Sequence, residues 1–261
     1  MEHTTERTIG GHKFTLQTGK LAAQANGAVT VTCGDTVLLV TSTMAGVRPG
    51  LDFLPLTIEF EEKLYAIGKI PGSFFRREGR PGADAILSAR LVDRPLRPQF
   101  PKGLHNDIQI VITPLSSDRV MPVDILGIIG ASAAVSISDI PFANTVGASR
   151  VAYLDGEYII NPTYDQMENA QLSVAVAGIK GSIGMVEAGA NEVSESIVLE
   201  AIRRAQETND VIIDMIDEMV RVAGKTKQIA PPVPDTSELE SRIQSVIGSR
   251  LEQILEQSGE K

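Results

Sequence analysis

The chain of 261 residues has no tryptophan, one cysteine and three histidines, His3, His12 and His105, far apart in sequence. A single thiol cannot build a disulfide framework, and scattered imidazoles cannot form a clustered zinc site. Cys33 falls in a β-branched run and reads as a small buried residue. Long apolar runs are also missing: none approaches the roughly 20 residues of a membrane span. The polar start MEHTTERTIGG lacks the apolar stretch of a signal peptide, so the chain reads as cytosolic, with no membrane partner. Positive charge is scarce as well. A formal net charge of −9 argues against a general nucleic-acid coat, which needs an excess of Lys and Arg. What remains is ordinary globular composition, 43% hydrophobic and 22% charged, enough for a sizeable core in one large domain or two small ones.

The pattern along the chain is α+β. From Lys13 to Met44, β-branched runs interrupted by TGK, ANGA and CGD predict short antiparallel strands joined by glycine turns, with a further strand over Leu54–Phe60. Asp84 stands where an N-cap would, and Pro95 opposes continuation, so a helix is expected from about Ala85 to Arg94, with Arg90 and Arg94 on one face. DIQIVITPL reads as a strand, and the apolar, small-residue segment from about Asp124 to Ser138 as a buried helix. VGASRVAYLDGEYIINP predicts a hairpin turning at Asp155 and Gly156, and QLSVAVAGI and GSIGMVEAGA predict two more strands. Helical spacing from about Ser194 to Ala223 predicts a long amphipathic helix, with Glu192 and Glu195 near its start. The core is expected over residues 1–228, a proline linker over 229–236, and a helix over 237–261 opened by a Ser237/Glu240 capping box. Its stripe of Leu239, Ile243, Val246, Ile247, Leu251, Ile254 and Leu255 either docks back on the core or belongs to a helical domain.

Against the acidic average, the window Arg76–Arg97 holds six arginines and three acids, a local reversal that suits a focused anion site. It begins with GSFFRREGRPG. Guanidinium groups bind phosphate bidentately and stack on bases, and aromatic rings stack on unpaired bases at about 1–3 kcal/mol each. Phe pairs are more often core, and Arg beside Glu78 and Asp93 is often an ion pair. The surrounding Gly72, Gly79 and Gly82 with Pro71 and Pro81 nevertheless favour a loop, where binding residues concentrate.

The long segment GKIPGSFFRREGRPGADAILSARLVDRPLRPQFPKG, together with MVEAGANEVSE, resembles the first ribonuclease PH-like core of bacterial polynucleotide phosphorylases. The similarity runs over essentially residues 5–228. It implies a ribonuclease PH-like core of mixed sheets packed with helices, followed by the start of a helical domain. In that family a second core and KH and S1 RNA-binding domains follow, and three chains form a ring around a pore. The family degrades single-stranded RNA from the 3′ end with inorganic phosphate, releasing nucleoside diphosphates in mRNA turnover. The resemblance implies that Phe74, Phe75, Arg76, Arg77 and Arg80 hold RNA at the pore, with Arg90, Arg94 and Arg97 either touching RNA or locking the loop to its neighbours. It also implies that this chain is part of a longer protein and forms a homotrimer.

Phosphorolysis needs a phosphate cradle and carboxylates for a divalent cation. In the family, Mg2+ and the phosphate site belong to the second core. Its serine run corresponds here to Pro122, Val123 and Asp124, and its metal and lysine strand to AQLSVAVAG, where Gln171 and Ser173 replace two aspartates and Ala175 the lysine. By that comparison no catalytic residue, metal ligand or cofactor is expected in this chain, and it alone is expected to be inactive. Asp118, Asp165 and Glu168 read as turn and surface residues, and Ser116 and Ser117 as a Ser turn. Two other readings are an inert RNA-binding ring subunit that pairs with an active ribonuclease PH-like chain, and a stand-alone phosphorolytic exonuclease using Asp165 and Glu168.

Overall fold

The structure, a computed structural model, describes residues 1–47, 49–72, 79–232, 235–248 and 250–257. These fall in two compact units, Met1–Ala230 and Pro231–Lys261.

The first unit is α+β. Strands β1 (His3–Ile9), β2 (His12–Thr18), β3 (Gly27–Cys33), β4 (Thr36–Val47), β5 (Leu56–Phe60) and β6 (Asn106–Ser116) form one sheet in the order β1-β2-β3-β4-β6-β5. In β3 and over Thr36–Ser42 of β4 every second side chain is buried, the two-residue period of a strand. Cys33 is fully buried, and burial, helped by the nearby Asp118 charge, pushes its thiol up to about 11. Strand β1 escapes the sequence pattern because only Thr5 and Ile9 turn inward along it. β5 lies parallel to β6, and the connection between them carries helix α1 (Ala83–Leu96).

Helix α1 differs from expectation at both ends. Gly82 is its N-cap and Asp84 lies in the first turn, while Pro95 sits inside the last turn, buried against the core. At that end a proline forfeits only one backbone hydrogen bond, and burial of its ring offsets part of the loss.

Helix α2 (Val123–Ile137) buries thirteen of its residues because it touches both sheets and both long helices. A helix apolar all round is stable only when enclosed in this way. Gly130 permits a close approach to the first sheet: a Cβ there would stand 2.5 Å from Val40 Cγ2 and 2.8 Å from Val31 Cγ2. The second sheet, in the order β10-β9-β7-β8, contains β7 (Gly147–Leu154), β8 (Glu157–Ile160), β9 (Leu172–Ile179) and β10 (Ser182–Ala190). β7 and β8 turn at Asp155 and Gly156, both at positive φ (51° and 87°), as the Asp-Gly signal requires. The short α3 (Tyr164–Glu168) opens with a Thr163/Gln166 capping box. The long α4 (Glu195–Ala223) lies on β7 and β9 through the buried Ala201, Ala205, Ile212 and Ile216.

Beyond α4, Lys227 donates to the carbonyls of Val135 and Ser138 at the C-terminus of α2, at 2.7 and 2.8 Å. The Val135 carbonyl also accepts from the N–H and Oγ of the C-cap Ser138, and Lys227 adds a cationic donor where the helix end favours positive charge. Burial pulls its ammonium down to about 8, with the Asp139 charge opposing.

In the second unit one helix was expected and two are found, α5 (Ser237–Ile247) and α6 (Arg250–Gln257), separated at Gly248, which has φ 43°. The Ser237/Glu240 capping box is not formed. Thr236 is the N-cap and its Oγ1 donates to Glu240, while Asp235 accepts the Ser237 N–H.

Candidate nucleic-acid interface

Between the end of β5 and α1 lies an open cleft of about 700 Å³. It exists because the parallel crossover lays α1 beside the outermost strand of the first sheet. Ile58, Phe60, Ala85 and Ala89 supply apolar lining, Lys63, Arg80, Arg90 and Arg94 supply positive charge, and Glu59, Glu61, Glu62 and Asp93 supply negative charge. Arg80 and Arg90 are exposed, and neither has an ion-pair partner among the described residues. Arg94 reaches Glu187 on β10 at 2.6 Å, but both side chains are about half exposed, so solvent screens most of that attraction.

Arg97 is placed quite differently. Its guanidinium clasps Asp93 through Nε at 2.9 Å and Nη2 at 2.6 Å, and it also donates to the carbonyls of Leu54 and Leu56 at 3.2 and 3.1 Å. It therefore ties the C-terminal end of α1 to the segment that starts β5. At the other end, Glu62 accepts the Gly82 N–H at 2.8 Å. Phe74, Phe75, Arg76 and Arg77 lie outside the described residues. The chain leading to them is pinned to the sheet: Ser117 N–H donates to the Ala66 carbonyl at 2.8 Å.

A second arginine occupies the place where the family comparison would put phosphate and metal. Asp124 in the first turn of α2, Ser173 on β9 and Ala175 on β9 converge on Arg150 of β7. Arg150 Nη2 meets Asp124 Oδ2 at 2.5 Å, its Nη1 donates to Ser173 Oγ at 3.3 Å, and its Cα partner across the sheet is Ala175. The two charged side chains are only 17% and 21% exposed. Asn161 Oδ1 accepts the Arg150 backbone N–H, while Arg150 Nε and Asn161 Nδ2 are buried without a partner. The pair is neutral as a unit. A fixed guanidinium disfavours a divalent cation, and the Asp124 carboxylate disfavours phosphate. These residues do not fit either group.

Asp118 is the hub of a turn. It accepts from Asp35 N, Thr36 Oγ1, Val120 N and Met121 N. Partial burial pushes its carboxyl up, but these donors together hold it below the ordinary carboxylate value. Ser116 donates to the Asp35 carbonyl and Ser117 accepts from Arg119 N, so this run serves a turn as well. Asp165 and Glu168 are exposed on α3. No group of three or more His, Cys, Asp or Glu among the described residues is placed to hold a metal.

Reasoning from the sequence missed Arg150 and Glu62. A lone charge in the middle of GASRVAYL was a signal for the first, because a strand buried on both faces rarely carries one unpaired. Nothing local marks the second, whose partner is twenty residues away.

Compared with known proteins, residues 10–141 match the 3′ exoribonuclease family, domain 1, and residues 144–208 match domain 2 of the same family. The polyribonucleotide nucleotidyltransferase of Heliobacterium modesticaldum is 49% identical over 95% of the chain, that of Roseiflexus sp. strain RS-1 is 51% identical over 95%, and that of Herpetosiphon aurantiacus is 49% identical over 98%. The chain spans 35%, 34% and 33% of those relatives, about a third of their length. Among solved structures, rice (Oryza sativa) Rrp46 superposes with a TM-score of 0.62 at 14% identity, covering 85% of this chain and 94% of the rice protein, a likeness of fold.

Proposed function

The chain belongs to the 3′ exoribonuclease family, and from that premise we propose that it is the RNA-holding, ring-forming N-terminal part of a polyribonucleotide nucleotidyltransferase. In this reading the longer protein degrades RNA from the 3′ end by attack of inorganic phosphate on the terminal phosphodiester, releasing nucleoside diphosphates. Single-stranded RNA enters along the arginine cleft, with Phe74 and Phe75 stacking on bases and Arg76, Arg77, Arg80, Arg90 and Arg94 contacting phosphates. Arg97 acts through α1, which it fastens. The attack itself, with its Mg2+ and phosphate, belongs to a second core beyond this chain, and three chains assemble as a ring in the cytoplasm.

The observation that carries the reading is the contrast in arginine placement. Arg80 and Arg90, exposed and without ion-pair partners among the described residues, line the cleft, whereas Arg150 and Asp124 neutralise each other where catalysis would otherwise sit. The test is RNA binding by the chain carrying Arg76→Ala and Arg77→Ala. Affinity for single-stranded RNA should fall and its salt dependence flatten, because fewer counterions are released per RNA bound. Unchanged affinity and salt slope would refute it.

A further inference from the structure

Glu62 is an exposed carboxylate on a cleft lined by Arg80, Arg90 and Arg94 but also by Glu59, Glu61 and Asp93, and its charge alone adds to the acidic side that opposes RNA. Its hydrogen bond suggests why it is there. Gly82, the N-cap of α1, has no side chain with which to cap the helix, and the N3 position is Ala85, which cannot make the reciprocal half of a capping box. Glu62 Oε2 supplies that half from outside the helix, accepting the N-cap N–H at 2.8 Å. A carboxylate is also the charge that the positive end of a helix favours. The fit is close: a Cβ on residue 82 would stand 2.8 Å from Oε2.

This bond fastens Gly82, two residues from Arg80, to the chain just beyond β5, while Arg97 fastens the far end of α1 to the start of the same strand. The wall carrying Arg80, Arg90 and Arg94 is thus pinned at both ends. We infer that Glu62 is a positioning residue for RNA binding, setting Arg80 and the first turn of α1, and that this outweighs its unfavourable charge. The inference rests on the reading of the cleft as an RNA-holding surface.

The experiment measures binding of a short fluorescent oligoadenylate to the 261-residue chain at one salt concentration, with thermal unfolding followed for each variant. Glu62→Ala should weaken binding about three- to tenfold, the net loss of one solvent-exposed hydrogen bond. Glu62→Gln, whose amide oxygen still accepts the Gly82 N–H, should stay within about twofold of the unaltered chain. In an Arg80→Ala background, Glu62→Ala should add little, because both changes act through the same side chain. If Glu62 acted by charge alone, both substitutions would strengthen binding alike, and that result overturns the inference. So does a Glu62→Ala variant that binds as the unaltered chain does while Arg80→Ala binds more weakly. Should Arg80→Ala and the Arg76/Arg77 double variant all bind normally, the RNA-holding reading falls, and the role of Glu62 with it.

Discussion

Two sets of arginines on one core have opposite fates. At the cleft, Arg80 and Arg90 stand exposed on a wall braced by Arg97 and Glu62. Across the core, Arg150 is mostly buried and gives its charge to Asp124. The difference is one of what surrounds each guanidinium. A strand packed on both faces demands that a charge be paired, so Arg150 is structural. An outer helix facing an open cleft makes no such demand, so its arginines remain able to meet phosphate.

The comparison can be broken first on the buried side. Asp124→Ala strands the Arg150 guanidinium and should destabilise the first unit by about 3 kcal/mol, read by urea unfolding. Adding Arg150→Met should recover much of that loss, because an uncompensated buried charge costs more than a missing pair. A marginal effect of Asp124→Ala would mean that Arg150 is solvated and the two sites are alike.

The exposed side should behave in the reverse sense. Arg80→Ala and Arg90→Ala should leave the melting temperature unchanged, while each lowers the dependence of log affinity for RNA on log salt by about 0.7. Loss of stability instead would move these side chains into the structural class.

The smallest effect concerns Lys227, a cation held against helix carbonyls. Its folded pKa of about 8 lies below the unfolded value of about 10.4, so above pH 8 the folded chain binds fewer protons than the unfolded one. The penalty of burying the charge is therefore fully present below pH 8, and stability contributed by this residue rises with pH between those two values. Melting of the unaltered chain against Lys227→Met from pH 7 to 10 should show the difference shift in favour of lysine as pH increases.

Much of this was legible in the sequence. β-Branched runs between glycine turns marked β3 and β4, Asp155-Gly156 marked its hairpin, and continuous apolarity marked α2 as enclosed. The misses have physical causes. β1 turns only two side chains inward, so it has no period to read. Pro95 and Asp84 follow rules for isolated helices, which tertiary packing and a cap donated from beyond β5 override. The apolar stripe across α5 and α6 continues through a glycine that breaks the backbone without breaking the pattern. At the candidate site, Arg90 and Arg94 were visible as one helix face, whereas the i,i+4 pair of Asp93 and Arg97 reaches past the expected helix end. The convergence of Asp124, Ser173 and Ala175 on Arg150 required the fold, because it joins one helix and two strands.

The central claim is that this core holds RNA without cutting it. The most direct measurement is release of nucleoside diphosphates by the 261-residue chain supplied with single-stranded RNA, inorganic phosphate and Mg2+, alongside RNA binding by the same preparation. Binding without release is the expected result. Sustained phosphate-dependent release from the chain alone would contradict it.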